Sequence, residues 1–170
     1  MDAPLAEAAR RASRVRPSPQ QLAWQEMELT TFIHFGMPTF KDDADWGDGT
    51  EDPAEFAPTG FEPEQWVEVC HAIGSNMLIF TAKHHDGFCL WPTEQTDHNI
   101  TRSAWKNGRG DMVAEIANAC RAGGIKFGLY LSPWDRHEPT WGTPAYNDFF
   151  RAQLVELCTE HGLQRLLVDP

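Results

Sequence analysis

The feature that most constrains the fold is a nearly continuous apolar run at residues 76–82, NMLIFTA. A strand with one face in water alternates apolar and polar side chains, whereas this run is apolar on both faces. Strands of that kind are typical of a parallel sheet that helices cover on both sides. The run therefore predicts a chain in which strands and helices alternate.

The rest of the sequence has that alternation. Strand patterns occur at 29–35, 76–82, 125–132 and 163–169, and helix patterns at 63–74, 110–124 and 143–162. Asp111 is a plausible N-cap, and Gly74 and Gly162 suit helix ends. Each crossover has the dozen or more residues that a parallel connection needs. The predicted fold class is α/β, built from repeated βα units.

Two architectures fit repeated βα units: an open doubly wound sheet and a (β/α)8 barrel. The dinucleotide-binding form of the first predicts G-x-G-x-x-G after the first strand, where this chain has HFGMPTF. A barrel predicts polar and aromatic residues at the carboxyl ends of its strands. Such residues lie at the end of every predicted strand or directly after it: His34, then KHHD at 83–86, then Tyr130, Ser132, Trp134, Asp135 and Arg136, then Asp169.

The prediction is therefore a TIM-type (β/α)8 barrel, truncated to about its first four βα units. Residues 1–19 are predicted to be a flexible leader, and residues 20–170 the N-terminal part of the barrel domain. Half a barrel leaves open parallel edges, which invite pairing. The sequence leaves open whether a longer protein closes them or whether the chain associates with itself or with another chain.

Charge and hydropathy exclude several partners. The net charge of -11, from 14 basic and 25 acidic residues, argues against a nucleic-acid partner, which needs clustered Lys and Arg. No apolar run approaches the ~18 residues of a membrane span, so no membrane partner is expected. The N-terminus lacks the apolar core of a secretory signal. We expect a cytoplasmic protein by default, and a periplasmic or secreted one if its natural N-terminus precedes Met1.

Cysteines and acidic residues give no sign of a metal. The four cysteines form no C-x-x-C pair, and Cys70, Cys120 and Cys158 are predicted to pack as small apolar residues. The acidic loop KDDADWGDGTEDP lacks the spacing of an EF-hand. We predict no metal and no cofactor.

Three histidines at two predicted strand ends, His34, His84 and His85, predict a functional site. One alternative is a metal-dependent barrel hydrolase that uses them together with Asp86. Such barrels usually begin with two histidines two residues apart on the first strand, and FIHFG has one.

Five segments carry a specific resemblance: FIHFG at 32–36, DWGDG at 45–49, TAKHHDGFCLWP at 81–92, GRGD at 108–111 and KFGLYLSPWD at 126–135. Together they closely resemble alpha-L-fucosidases of glycoside hydrolase family 29, from about Pro17 to about Gly162. The resemblance implies a (β/α)8 catalytic barrel. It implies an enzyme that removes terminal alpha-linked fucose from an oligosaccharide or glycoconjugate with retention of configuration.

The resemblance also implies substrate-binding residues. His34, His84 and His85 match histidines that contact fucose hydroxyls, a role that suits an imidazole because it can both donate and accept. Asp45 matches an acidic residue before a tryptophan, and Tyr130 a sugar-contacting tyrosine. Trp46, Trp91 and Trp134 could stack on a pyranose, and a place in the core is the equal alternative for each.

Catalysis by retention needs two carboxyl groups about 5–5.5 Å apart. The family's nucleophile is the Asp of W-F-D-G after strand four. This chain has LVDP, which makes Asp169 the candidate, one residue early. A shift of one residue turns a strand side chain to the other face, so its direction stays open. The family's acid/base lies beyond residue 170. The resemblance thus predicts an incomplete catalytic domain that is inactive alone, with a noncatalytic fucose-binding remnant as the alternative.

Overall fold

A computed structural model describes residues 3–40, 46–160 and 165–168. Its centre is a four-stranded parallel sheet in the order β1-β2-β3-β4, formed by Thr31–Ile33 (β1), Met77–Lys83 (β2), Lys126–Leu131 (β3) and Arg165–Val168 (β4). The α/β class and the parallel alternation are confirmed, and β1 is shorter than the predicted strand at 29–35. Five α-helices accompany the sheet in this part of the chain: Ala3–Ala12 (α1), Pro19–Gln25 (α2), Pro63–Ile73 (α3), Met112–Gly123 (α4) and Pro144–Glu160 (α5).

The helices α3 and α4 begin and end at the residues that the sequence signals indicate. The Asp111 carboxylate caps α4 by accepting from the Ala114 amide at 2.8 Å. Gly74 follows α3 with φ 76°, a left-handed conformation that glycine adopts at little cost. The Ser75 amide then donates to the Cys70 carbonyl, which closes the helix and turns the chain directly into β2.

Two apolar layers lie on opposite faces of the sheet. The main core, on the side of α3 and α4, includes Leu78, Phe80, Leu129, Val67 and Ile116. A smaller cluster on the other face consists of Met27, Met77, Ile79 and Tyr130. Because Met27 lies just after α2, the segment around that helix covers part of the second face. This second face carries the candidate site at its carboxyl end.

The cysteines follow the prediction in two of three cases. Cys70 and Cys120 are fully buried in the main core, whereas Cys158 is exposed. Its neighbour Leu157 is the buried residue of that turn of α5. Successive residues of a helix point about 100° apart, so burial of Leu157 turns Cys158 toward solvent. Among the described residues, no helix is long and apolar enough to cross a bilayer.

The pairing of β2 with β3 contains an irregularity near its carboxyl end. Thr81 pairs with Tyr130 and Lys83 pairs with Leu131, so that Ala82 is an extra residue on β2. Ala82 belongs to the main core and Lys83 contacts α5, so two consecutive side chains point toward the helices. A bulge of this kind changes which side chains face each way beyond it. It brings His84 onto the face where Tyr130 lies.

Gly110, directly before the α4 cap, packs beneath the Trp105 indole, and a Cβ on it would lie 2.2 Å from Cε3 of that ring. We expect Gly110→Ala to lower the free energy of unfolding in urea by about 1–3 kcal/mol, because the ring or the backbone must shift. Gly60→Ala is the control, since a Cβ there meets nothing within 4 Å. Its effect should stay within about 0.5 kcal/mol. Equal losses in the two variants would contradict the packing described.

Candidate active site

Three imidazole rings lie in contact at the carboxyl ends of β1 and β2. The ring centroids of His34 and His84 are 4.2 Å apart, and those of His84 and His85 are 3.9 Å apart. His34 follows β1 directly, and the two other histidines follow the bulged end of β2. The structure thus brings together the three histidines that the sequence singles out.

Aromatic side chains border this cluster on three sides. The Trp46 indole is half exposed, at 55%, and its centroid lies 5.3 Å from that of His85. Trp134 lies 4.8 Å from His85 on another side. Tyr130 is buried below, with its centroid 6.2 Å from that of His84. Of the predicted sugar-stacking residues, Trp46 and Trp134 therefore lie beside the imidazoles.

The His34 and His84 imidazoles are held in the neutral form at neutral pH. Burial, followed by the neighbouring His34 and His85 rings and the Arg136 guanidinium, lowers the pKa of His84 to about 3, and the hydrogen bond to the Trp46 main chain opposes this shift. Partial desolvation against its neighbours also lowers the pKa of His34. A neutral imidazole has one donor and one acceptor nitrogen. The cluster can therefore both give and take hydrogen bonds.

Hydrogen bonds assign the ring nitrogens of His84 and His85. The His84 ring bonds the Trp46 main chain, and its Nδ1 has no partner among the described residues, which leaves Nε2 as the donor. Nδ1 of His85 lies 2.7 Å from the Ser132 hydroxyl, which itself donates to the Trp134 carbonyl. Since a hydroxyl has one proton, Ser132 accepts from Nδ1 of His85. An unpartnered buried nitrogen such as Nδ1 of His84 costs about 1–3 kcal/mol, which a ligand hydroxyl or water could relieve.

A fully buried ion pair lies beneath the histidines. Nζ of Lys83 is 2.7 Å from Oδ2 of Asp135 and 3.3 Å from the Tyr146 hydroxyl, and both charged side chains are almost completely buried. The rings of Tyr146, Phe149 and Phe150 on α5 surround the ammonium at 5.4–5.6 Å. Oδ1 of Asp135 accepts from two amides of the loop after β3, at residues 137 and 138. The pair thus ties β2, the β3 loop and α5 together.

Asp86 adds a second buried carboxyl. Its Oδ1 accepts from the Phe88 amide at 2.9 Å, and its Oδ2 has no partner among the described residues. Burial is the main cause that raises the pKa of Asp86 to about 7; the Glu51 and Asp135 carboxylates act in the same direction, and the Phe88 amide and Lys83 oppose the rise. Around neutral pH, Asp86 is therefore shared between its protonated and ionised forms.

The structure does not place Trp91 with this cluster. Trp91 is fully buried in the main core, and its indole Nε1 donates to Glu156 of α5 at 3.1 Å. The same carboxylate accepts from Thr93 and Gln95. Trp91 is removed from the candidate sugar-stacking residues, because an enclosed ring cannot contact a ligand. Its role is to join the loop after β2 to α5.

Two predicted site residues lie outside the described residues, and the metal alternative gains no support. Asp45 and Asp169 fall in the gaps at 41–45 and 169–170, so their predicted roles stay predictions. Within residues 3–40, 46–160 and 165–168, no group of three His, Cys, Asp or Glu side chains is arranged to hold a metal ion.

Comparisons with known proteins agree with this geometry. The family model described as alpha-L-fucosidase matches residues 18–167. The chain belongs to the alpha-L-fucosidase family. It is 51% identical over 147 residues to Alpha-L-fucosidase 1 of Arabidopsis thaliana, a match that covers 86% of this chain and 29% of that protein. The chain thus spans less than a third of the length of this curated relative.

Solved structures of the fucosidase family resemble the fold. A glycoside hydrolase 29 family member from a rumen bacterium superposes with a TM-score of 0.86 at 49% identity, covering 90% of this chain and 28% of that chain. A GH29 fucosidase from Ruminococcus gnavus, solved in complex with fucose, superposes with a TM-score of 0.74 at 40% identity, covering 84% of this chain and 32% of that chain.

Sequence reasoning missed several residues that shape the site of this fucosidase-family chain. The Glu51 carboxylate accepts from the amides of Asp48 and Gly49 and so closes the loop that carries Trp46. His137 lies 2.7 Å from the Gly49 carbonyl. The signal in the sequence is the pair of glycines in WGDGTE, whose positive φ angles shape a tight turn. That this turn contacts His137, a residue far away along the chain, cannot be inferred from the sequence.

Lys83→Met tests the buried ion pair. We expect a loss of about 3–5 kcal/mol in the free energy of unfolding, because Asp135 would keep a buried charge without its partner. Lys83→Met combined with Asp135→Asn should recover part of that loss, because the amide oxygen still accepts from the loop. Arg151→Met, which breaks an exposed pair with Asp148, is the control and should cost about 0–1 kcal/mol. Similar losses for Lys83→Met and Arg151→Met in urea titrations would contradict this account.

Asp86→Asn tests the raised pKa. The folded protein keeps a proton on Asp86 between about pH 4 and about pH 7, a range in which the unfolded chain has lost it. The native contribution of this group to stability therefore falls as pH rises through that range. Asparagine does not titrate, so the variant should gain stability relative to the wild type from pH 4 to pH 7, by about 1.4 kcal/mol per unit of pKa difference.

Chemical denaturation at several pH values measures this difference. Asp97→Asn, which changes an exposed carboxylate, is the control, and its stability profile should run parallel to that of the wild type. A parallel profile for Asp86→Asn would show that the carboxyl ionises normally.

Proposed function

We propose that the chain forms the fucose-binding side of a retaining alpha-L-fucosidase that acts on terminal alpha-L-fucose of oligosaccharides or glycoconjugates. The observation that carries the proposal is the contact of His34, His84 and His85 at the strand ends beside the half-exposed Trp46. The Ruminococcus gnavus relative solved in complex with fucose supports the choice of sugar.

The chemistry of the site suits a deoxyhexose. Each sugar hydroxyl donates and accepts, and a neutral imidazole offers the same two functions. The low pKa of His84 keeps that ring neutral at physiological pH. Fucose also has an apolar side and a methyl group, which suit the faces of Trp46 and Trp134. In this proposal the histidines bind the hydroxyls and the indoles cover the apolar edge.

The carboxyl groups beneath the site suit a structural role. Asp135 is paired with Lys83, Glu51 binds the loop amides, and Asp86 is buried beside them. A retaining mechanism needs one carboxylate as nucleophile and one carboxyl as acid/base, both reaching the glycosidic bond. We assign the nucleophile to Asp169 and expect the acid/base from sequence beyond residue 170. By this assignment the 170 residues bind fucose and do not turn it over.

The same proposal includes the barrel. Parallel strands with helical crossovers, and with the site at their carboxyl ends, suit the first four βα units of a (β/α)8 barrel. In the described sheet, β1 and β4 are the outer strands. We propose that further strands of a longer protein pair with them, and that a chain without those strands self-associates through these edges.

Binding of L-fucose tests the proposed sugar site. We expect L-fucose to raise the melting temperature of the chain, since a ligand that binds the folded state stabilises it. L-Rhamnose, a deoxyhexose with differently oriented hydroxyls, is the control ligand and should have a smaller effect. His84→Ala should lose at least about tenfold in fucose affinity, as expected for a lost hydrogen bond of about 1.5 kcal/mol. His71→Ala, at an exposed histidine of α3, is the control variant. Equal shifts with the two sugars would contradict a fucose site.

Activity on a nitrophenyl fucoside separates binding from catalysis. The 170-residue chain should bind the fucoside without hydrolysing it. By the proposed assignment it lacks the acid/base carboxyl, and binding cannot replace the role of that group. Turnover by this chain would show that its own carboxyl groups suffice. Absence of both binding and turnover would remove the sugar-binding proposal itself.

A further inference from the structure

Arg136 contacts three separate parts of the candidate site. Its main-chain amide donates to the His85 carbonyl at 2.9 Å. Its Nη1 donates to the Gly47 carbonyl, next to Trp46. Its guanidinium lies over the Trp134 ring, 4.5 Å from the centroid. One residue therefore contacts the segment after β2, the loop before α3 and the aromatic ring after β3.

The described residues of the loop that carries Trp46, from 46 to 51, form no helix or strand that would fix the indole. Between residues 46 and 51, Glu51 closes the turn from within by binding the amides of Asp48 and Gly49. The contacts to the β3 loop come from Arg136 and from His137. Gly49, with φ 88°, lies so close that an added Cβ would be 2.6 Å from the Arg136 carbonyl carbon. The turn is thus fitted against the backbone at Arg136.

We propose that Arg136 is a positioning residue that fixes the distance between the Trp46 side and the Trp134 side of the sugar site. The inference rests on the proposed function for its link to fucose, and on the contacts alone for its link to the loop. A guanidinium suits this task because its planar fork donates in a fixed direction while its face stacks on an indole. A lysine has neither property, although it has the same charge.

Arg136 has a second effect, through its charge. Its guanidinium is one of the groups that lower the pKa of His84, after burial and the His34 and His85 rings. The Tyr130 ring and the Trp46 main chain complete the surroundings of His84. The contribution of the charge can therefore be separated from that of the geometry by comparing a neutral and a cationic replacement.

The test compares Arg136→Met and Arg136→Lys in the 170-residue chain by NMR. In Arg136→Met, the amides of Asp48 and Gly49 should exchange about tenfold faster, because the loop loses a charge-assisted hydrogen bond. The Trp46 indole signal should shift and the His84 pKa should rise. In Arg136→Lys, the His84 pKa should stay near that of the wild type while the loop amides still exchange faster. Arg102→Met, at an exposed ion pair with Asp97, is the control and should change none of these signals.

Binding of L-fucose then links the loop to the site. Both Arg136 variants should bind L-fucose about tenfold more weakly than the wild type. Wild-type loop exchange and an unchanged Trp46 signal in folded Arg136→Met would overturn the proposal. If Arg136→Met does not fold, Arg136→Lys decides: faster exchange of the Asp48 and Gly49 amides supports the proposal, and wild-type exchange overturns it. If the wild type binds no fucose, the proposed function fails, and the loop amides and the His84 titration still decide whether Arg136 positions the loop.

Discussion

The ion pair between Lys83 and Asp135 is the interaction on which the candidate site depends. A lysine ammonium in a protein interior is tolerated only with a partner, because its desolvation costs several kcal/mol. Here the partner is a carboxylate at 2.7 Å, with a tyrosine hydroxyl and three aromatic rings around the ammonium. The other carboxylate oxygen of Asp135, Oδ1, accepts from the amides of His137 and Glu138, so the same side chain also shapes the loop after β3. The pair thus fixes two segments that carry site residues.

The bulge in β2 explains how a charged residue and two histidines can follow one another at a strand end. Without it, alternation would put Lys83 on the same face as Met77 and Ile79. The extra residue Ala82 turns Lys83 toward α5 and leaves the next position, His84, for the site. The segment KHHD therefore serves two layers of the molecule: Lys83 stabilises the helix side, and the histidines form the ligand side.

Much of the fold could be predicted from the sequence because its signals are local. The apolar run at 76–82, the Asp111 cap and Gly74 each indicate an element or its end through nearest-neighbour chemistry. The strand order and the meeting of His34 with His84 follow from the parallel topology, in which carboxyl ends share one edge.

The rest depended on contacts between distant residues. No sequence signal indicates the register shift at Ala82 or the orientation of Lys83 toward α5. Trp91 and Trp46 are both tryptophans in predicted loops near the site, so the sequence does not distinguish them. Only the packing of α5 against Trp91 shows that this ring is buried. Cys158 was misassigned for a related reason, since the buried face of α5 is set by its neighbours in the sheet.

The electrostatics of the site favour an uncharged ligand over an anion. An anion site needs cationic side chains whose N–H groups are available to a ligand. The most buried imidazole of the cluster, His84, is not such a cation, because burial keeps it neutral. Arg136 directs its fork at the Gly47 carbonyl and its face at Trp134, so its charge serves the protein's own loop. Lys83 is enclosed with Asp135. Because the cations around the cluster are committed to the fold, what remains for a ligand is a set of neutral donors and acceptors next to indole faces. Such a surface is complementary to a sugar, which has many hydroxyls, apolar C–H groups and no charge.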